Sequence, residues 1–187
     1  MNAIQRLAIG AAIGGTLVFF VQRSGPPVDA EVRAATSHEL VGTDAPTFSL
    51  PRVTDGQTRA LADYPGEVVV IDFWATYCGP CREAMPMLER VHHAYDGQGV
   101  TMVGINLDAP DPSRMTQVEA WVDRYDVAYD VLLDPGSTGH VYGARRIPYI
   151  VVIDPTGVVR AVHRGGGTTE AGLRATIDEA LAAANPS

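Results

Sequence analysis

Two cysteines separated by two residues are the side chains of this sequence with the clearest capacity for chemistry. Cys78 and Cys81 are the only cysteines among 187 residues, and Gly79-Pro80 lies between them. The apolar run 68–71 precedes them and a helical pattern follows, so Cys78 is expected where a buried strand passes into a helix N-terminus. The partial positive charge and free N–H groups of that terminus favour a thiolate, which is the nucleophilic form of cysteine. The pair therefore indicates thiol–disulfide exchange.

Two other uses of a cysteine pair fit this sequence less well. A structural disulfide over so short a loop contributes roughly 2 kcal/mol, against about 3 kcal/mol for a fifteen-residue loop. A zinc site needs four ligands, typically a second pair or two spaced histidines. This chain has no second pair, and His92 and His93 are adjacent. We therefore expect a redox pair, with no metal and no cofactor.

The composition is that of an ordinary globular protein. The negative net charge argues against nucleic acid as a partner. The sequence is 46% hydrophobic and 19% charged, with a net charge of −8. A nucleic-acid-binding chain is usually basic. All 14 basic residues are arginine, so no lysine stands near the thiols. The length fits one domain with an appendage.

The N-terminal segment predicts a membrane anchor. Residues 7–21 contain no charge and would form about 22 Å of helix, short of a hydrocarbon core of about 30 Å. Extension towards residue 3, with Arg6 reaching the interface, brings the helix near about 28 Å. We expect residues 1–23 to be an uncleaved anchor crossing the cytoplasmic membrane at residues 4–23. The alternative is a cleaved signal, which would leave a secreted or periplasmic protein.

The remaining chain divides into a linker and an α/β domain. Residues 24–40 contain Pro26-Pro27 and no periodicity, so they are predicted to be a linker. Residues 41–187 begin with a hairpin and then follow the order β-α-β-α-β-α-β-β-α, with Pro86 expected to kink the first of these helices. That order predicts a mixed sheet covered on both faces.

Two blocks of sequence resemble the thioredoxin superfamily. The first is Asp-Phe-Trp-Ala at 72–75 followed by Cys-Gly-Pro-Cys at 78–81 and by Pro86. The second is Ile147-Pro148, an apolar strand, and Asp-Pro-Thr-Gly at 154–157. The resemblance implies that Pro148 is in the cis form and that the fold is a three-layer α/β/α sandwich.

Three further features resemble the TlpA/ResA-like membrane-anchored thiol–disulfide oxidoreductases. They are the hairpin within 45–66, the helix and strand inserted at 113–133, and the N-terminal anchor. This resemblance implies an enzyme on the outer side of the cytoplasmic membrane that reduces disulfides in client proteins and is itself reduced by a membrane thiol donor. Some such proteins serve cytochrome c or metalloprotein maturation.

The resemblance also implies roles for individual residues. Cys78 would attack the client disulfide, and the deeper Cys81 would resolve the mixed disulfide. Asp72 would lie buried behind Cys81, with a raised pKa, and help to move its proton. This branch often has asparagine at that position, and the lysine that accompanies the aspartate in thioredoxin is replaced here by Gly104. Pro148 would offer a backbone edge to the client and prevent metal capture by the sulfurs.

Six further residues are expected to surround the cysteine pair. Trp74 and Tyr77 are expected to pack around the active-site loop, and Glu83 to lie in the first helical turn, where it would complement the helix dipole. The expected surroundings are Trp74, Tyr77, Gly79, Pro80, Glu83 and Ile147.

Two alternative functions remain open at this point. A peroxiredoxin-like peroxidase would share the fold, but that chemistry wants a proline and a threonine or serine shortly before the thiol. Thr76 is near, yet no proline lies between Pro65 and Cys78. A copper-handling thiol chaperone is the other alternative, because thiol pairs bind Cu(I).

Overall fold

A computed structural model describes residues 27–184 of the chain. Besides a 3₁₀-helix at Leu61–Asp63, five α-helices and seven strands follow one another in that range. They are α1 (Val28–Ala35), β1 (Ser49–Pro51), β2 (Thr58–Ala60), β3 (Val68–Trp74), α2 (Gly79–Ala94), β4 (Val100–Asn106), α3 (Arg114–Tyr125), β5 (Asp130–Leu133), α4 (Thr138–Val141), β6 (Tyr149–Ile153), β7 (Val159–Arg164) and α5 (Glu170–Ala184).

The main sheet has five strands in the order β5-β4-β3-β6-β7. Strands β3, β4 and β5 are parallel, whereas β6 and β7 are antiparallel to their neighbours. The central strand β3 is buried along its whole length, as expected of a β-branched apolar run covered on both faces. Its C-terminal end leads directly to Cys78, so the thiols lie at the edge of the sheet where the parallel strands end.

Side chains of β3 alternate between two differently covered faces. Val68 and Val70 pack with α2 and α5, through residues such as Leu88 and Leu173. On the opposite face the sheet packs against residues of the hairpin β1–β2, the segment before it and the region around α4. The expected helical layer is therefore present on one face, while the other is covered mainly by the hairpin and one helical turn.

The predicted order of elements after residue 67 is confirmed, as is the hairpin. Gly56 takes a φ of 70° at the hairpin turn, a backbone region open to glycine but rarely to other residues. Pro86 lies inside α2 and does not end it.

The predicted linker 24–40 is wrong for part of its length. Residues 28–35 form α1, which packs on α5 and β7. Ala35 enters the core on the helical side of the sheet, and Glu31 is buried. The short length of α1 hid it, because a helix of eight residues is marginal by itself and is held in place by long-range packing.

The buried carboxylate of Glu31 joins α1 to the start of α5. It accepts hydrogen bonds from the Thr169 backbone N–H at 2.7 Å and the Thr169 hydroxyl at 2.6 Å. The Thr169 hydroxyl in turn accepts a bond from the Gly172 N–H, so the predicted cap at Thr169 is confirmed. A carboxylate at a helix N-terminus is favoured by the dipole and the free N–H groups.

The predicted anchor at 1–23 lies outside the described residues. Within 27–184, none of the helices combines the length and the apolar character that a membrane crossing requires.

Candidate active site

Cys78 caps the N-terminus of α2. Its sulfur accepts a hydrogen bond from the Cys81 backbone N–H at 3.1 Å, and its carbonyl accepts one from the Arg82 N–H. Pro80 occupies one of the first two helical positions, where its missing N–H costs no intrahelical bond. The local sequence therefore places a sulfur where a helix terminus stabilises negative charge.

The two sulfurs form a disulfide, with their Cα atoms 5.3 Å apart. Cys78 is 7% exposed and Cys81 only 1%, so Cys81 is the deeper of the two, as predicted. Both belong to an apolar cluster with Trp74 and Met85, and Ile147 packs against it. A client sulfur therefore reaches Cys78 before it can reach Cys81.

Asp72 lies in the middle of the central strand and is 1% exposed. It points to the same face as Val70 and Trp74, because side chains two residues apart on a strand share a face. On that face Trp74 packs in the cluster that contains Cys81. Neither carboxylate oxygen has a hydrogen-bond partner among the described residues. Burial raises the pKa of Asp72 to about 7, since an ionised carboxylate is disfavoured away from water.

Two aromatic rings fill the space beside Asp72 on the side of Gly104. Gly104 pairs with Asp72 across β3 and β4. A Cβ atom at position 104 would lie 3.1 Å from Nε1 of Trp74 and 3.1 Å from Cε2 of Tyr129. The glycine thus lets an indole and a phenol ring close over the strand beside the carboxylate.

The peptide bond between Ile147 and Pro148 is cis, as the resemblance implied. The Pro148 carbonyl accepts a hydrogen bond from the Gly165 N–H at 2.8 Å. Pro148, Pro80 and Gly166 line a narrow groove of about 110 Å³. A Cβ atom on Gly166 would lie 3.3 Å from Cβ of Pro80. The cis-proline strand and the start of α2 therefore form two sides of one groove beside the thiols.

Two predicted surroundings of the pair are corrected. Trp74 does pack, with its ring stacked on Trp121 at 4.7 Å, but Tyr77 is 75% exposed. Tyr77 lies in the turn that precedes α2, and its side chain points to solvent. It therefore does not pack around the loop. Glu83 lies beyond the first turn of α2, which contains no acidic residue, and instead lines the groove beside Pro80.

A polar network that the sequence did not predict holds the active-site loop from behind. The Thr76 N–H donates to the Asp108 carboxylate at 3.1 Å, and the Asn106 side chain donates to the same carboxylate. Buried Arg114 donates to the side-chain oxygen of Asn106 at 3.1 Å and to the Asp134 carbonyl at 2.7 Å. The available signal was the two polar residues Asn106 and Asp108, which flank Leu107 where β4 ends. These residues position the loop and do not reach the sulfurs.

The histidines do not assemble a metal site in the described part of the chain. His163 is buried and pairs with the Thr176 hydroxyl at 2.9 Å, as expected of a packing residue. Burial lowers its pKa to about 4, so it is neutral near pH 7. Among residues 27–184, no group of three or more His, Cys, Asp and Glu side chains could hold a metal ion.

Reversible exchange between a dithiol and a disulfide is the chemistry that this geometry supports. One sulfur caps a helix terminus, and the second is bonded to it. The fold and the site together define a thioredoxin-like thiol–disulfide oxidoreductase.

Comparisons with known proteins agree with that class. A family model described as the AhpC/TSA family matches residues 41–162. Thioredoxin-like protein YneN of Bacillus subtilis is 33% identical over 66% of this chain and 71% of its own. Thiol-disulfide oxidoreductase ResA of Halalkalibacterium halodurans is 32% identical over 69% and 71%. The crystal structure of a candidate thiol:disulfide interchange protein DsbE from Chlorobium tepidum is 32% identical, with a TM-score of 0.68 over 75% of this chain and 97% of its own. The chain belongs to the AhpC/TSA family of thioredoxin-like proteins.

Proposed function

We propose that this oxidoreductase works outside the cytoplasm, anchored in the cytoplasmic membrane by residues 4–23, and reduces disulfides in client proteins. The observation that carries the redox assignment is the bonded pair Cys78–Cys81 at the N-terminus of α2. The uncharged run 7–21 supports the location. The Gly-Pro dipeptide between the cysteines supports the reducing direction through its resemblance to thioredoxin.

The reaction proceeds through a mixed disulfide. The Cys78 thiolate attacks one sulfur of a client cystine, the client S–S bond breaks, and the first client thiolate leaves and takes a proton from water. Cys81 then attacks Cys78, which breaks the mixed disulfide and releases the second client thiol. The client gains two electrons and the enzyme is left with the Cys78–Cys81 disulfide. A membrane dithiol donor returns two electrons to the pair.

We assign to Asp72 the role of the base that accepts the proton of the Cys81 thiol. A thiol must lose its proton before it attacks, and a base with a pKa of about 7 can accept it near neutral pH. Water is excluded from the cluster around Cys81, so a carboxylate held on the same face of the sheet takes over that role. We assign to Pro148 the role of presenting the backbone edge along which the client chain lies.

The clients are secreted or membrane-associated proteins with a reducible cystine, and cytochrome c or metalloprotein maturation is the process we propose. The resemblance to TlpA/ResA-like proteins supports this assignment. A peroxidase is less well supported, because residues 66–77 contain no proline to accompany Thr76 before the attacking thiol.

Substitution of each cysteine tests the mechanism. In the full-length chain, Cys78→Ser should abolish reduction of insulin disulfides by an added dithiol, because the attacking sulfur is missing. Cys81→Ser should trap clients, because the mixed disulfide at Cys78 has no thiol to resolve it. Clients are recovered from the membrane fraction under non-reducing conditions and identified by mass spectrometry.

Three results would contradict the proposal. Insulin reduction that survives Cys78→Ser would remove the redox role of the pair. A reduction potential above about −150 mV, measured by equilibration with glutathione, would reverse the direction, since thioredoxin lies near about −270 mV and DsbA near about −120 mV. Tight Cu(I) binding by the reduced chain, without disulfide reduction, would favour the copper-handling alternative.

A further inference from the structure

A large cavity lies on the other side of the cis-proline strand from the active-site groove. Its volume is about 660 Å³, and its wall carries Arg145, Arg146 and Arg164 together with His38 and His140. We propose that this cavity binds an acidic segment of the client polypeptide while the client cystine lies at Cys78. The proposal rests on the proposed function and names the chemistry of the clients that this face selects.

The charge of the cavity is opposite to that of the whole chain. The chain carries a net charge of −8, yet Glu39 is the single carboxylate among the residues that line the cavity. Three guanidinium groups against one carboxylate produce a locally positive surface. Such a surface attracts a negatively charged partner and orients it before contact.

Within residues 27–184, no carboxylate pairs with the three arginines of the cavity. Arg145, Arg146 and Arg164 are exposed, and none of them makes an ion pair or a side-chain hydrogen bond with another described residue. By contrast, Arg52 binds Asp55 and Asp130. An arginine without a carboxylate partner keeps all its donors for an incoming anion, which it can bind through two parallel hydrogen bonds.

The position of the cavity connects it to the thiols. Tyr149, which directly follows Pro148, and Gly165, which donates to the Pro148 carbonyl at 2.8 Å, both line it. Gly165 also lines the groove beside the thiols. The groove and the cavity therefore meet at Gly165, next to the strand along which we propose that the client chain lies.

The remaining lining suits a polypeptide better than a flat charged surface. Val141, which is 54% exposed, and the half-buried Leu40 supply apolar area next to the guanidinium groups, above the buried rings of Tyr142 and Tyr149. A concave site that combines apolar walls with a few charged groups holds side chains as well as charge. Such a site fits a peptide in which Asp or Glu alternates with apolar residues.

The experiment compares three synthetic peptides that each contain one intramolecular disulfide. The disulfide is followed by four Glu, four Ser or four Arg residues, and kcat/KM is measured with the reduced full-length chain at about 50 mM salt. We expect the Glu peptide to exceed the Arg peptide by about tenfold, because the positive cavity raises the association rate of an anionic partner. Arg146→Glu and Arg164→Glu should each lower that ratio at least about threefold.

The matched control is Arg124→Glu. Arg124 is exposed on α3, it does not line the cavity, and its replacement changes the net charge by the same amount. We expect it to leave the ratio unchanged. Raising the salt concentration to about 500 mM should bring the three wild-type values together, since exposed charges are screened over a few ångströms.

Equal kcat/KM for the Glu and Arg peptides with the wild-type chain would overturn the proposal. An equal loss of preference in Arg124→Glu would also overturn it, because net charge and not the cavity would then select the peptide. Binding of anionic vesicles that is lost in Arg146→Glu and Arg164→Glu, without any preference among peptides, would assign the cavity to lipid headgroups instead. Failure to reduce the Ser peptide at all would count against the proposed function and not against the cavity.

Discussion

Asp72 carries a carboxyl group in the middle of the central strand, and burial of this group determines the pH at which it ionises. Its pKa is raised from the ordinary value of 3.8 to about 7 because burial disfavours the ionised form. In the unfolded chain the same group ionises near pH 4. Between these two values the native state holds a proton that the unfolded chain has released, so part of the stability of the fold is lost as the pH rises.

The first prediction concerns the stability of the oxidised protein against pH. The contribution of Asp72 to the free energy of unfolding is fully present below about pH 4 and declines up to about pH 7. Above that pH it stays lost, and the total loss is about 4 kcal/mol. Asp72→Asn, which cannot ionise, should therefore raise the free energy of unfolding at pH 8.5 by up to that amount and have little effect near pH 3.5. Urea unfolding at both pH values measures it.

The control for this prediction is Glu119→Gln, at an exposed position on α3. It should show no comparable gain at pH 8.5. A kinetic measurement separates the proton role of Asp72 from a purely structural one: in wild type the rate of mixed-disulfide resolution should rise with pH through about 7. In Asp72→Asn that rise should be lost. A mutant that keeps the wild-type pH profile would exclude Asp72 as the base.

At the scale of elements, the contact between α1 and α5 is a capping interaction made by a distant residue. Glu31 takes both hydrogen bonds offered by Thr169. Gly172 leaves room for it, because a Cβ atom at that position would come within 2.5 Å of all three atoms of the Glu31 carboxylate group. The glycine in α5 is therefore required by the carboxylate of α1 and not by the helix itself.

The second prediction is a double-mutant cycle on this contact. Glu31→Ala should lower the free energy of unfolding by about 2 kcal/mol, because it removes charge-assisted hydrogen bonds at a helix terminus. Gly172→Ala should also destabilise the wild-type chain, because the new methyl group displaces the carboxylate. In the Glu31→Ala background the same change should stabilise by about 0.5–1 kcal/mol, since alanine favours a helix over glycine.

The reversal of sign is the decisive feature of the cycle. Asp29→Ala is the matched control, because Asp29 is exposed on the same helix and should change stability by no more than about 1 kcal/mol. Additive effects of Glu31→Ala and Gly172→Ala would show that the two groups are not coupled through the carboxylate.

At the scale of the whole molecule, the domain begins earlier than the sequence predicted. Helix α1 packs on α5 and β7, with Ala35 in the core and Glu31 at the start of α5. Residues 28–40 therefore belong to the folded domain, which the sequence predicted to begin at residue 41.

The third prediction compares two truncated chains. A chain that starts at residue 27 should unfold at the same temperature as the full-length protein but no longer sediment with membranes, because it lacks residues 4–23. A chain that starts at residue 41 should unfold on the order of 10 °C lower, since each lost kcal/mol lowers the midpoint by about 2–4 °C in a protein of this size. Circular dichroism and vesicle sedimentation measure these outcomes.

Equal midpoints for the two truncated chains would contradict a structural role for α1. Sedimentation of the chain that starts at residue 27 with membranes would contradict the anchor.

The redox pair and the order of the elements could be predicted from local patterns in the sequence. A cysteine at a helix N-cap, a proline in the first helical turn and an alternation of apolar runs are local patterns, and local spacing is enough to place them. Asp72 could be proposed from the same block, because its position six residues before Cys78 is also local.

Other features depend on contacts between distant parts of the chain and could not be predicted in this way. The raised pKa of Asp72 requires the layers that exclude water from it, and Tyr129 reaches its neighbourhood because Gly104 has no side chain. Tyr77 is exposed, and α1 is ordered, because of what packs or does not pack against them. The basic cavity is lined by His38, by Arg145 and by Arg164, which come from three separate segments of the chain. Folding brings such groups together through burial of the core, and no local spacing records which of them will meet.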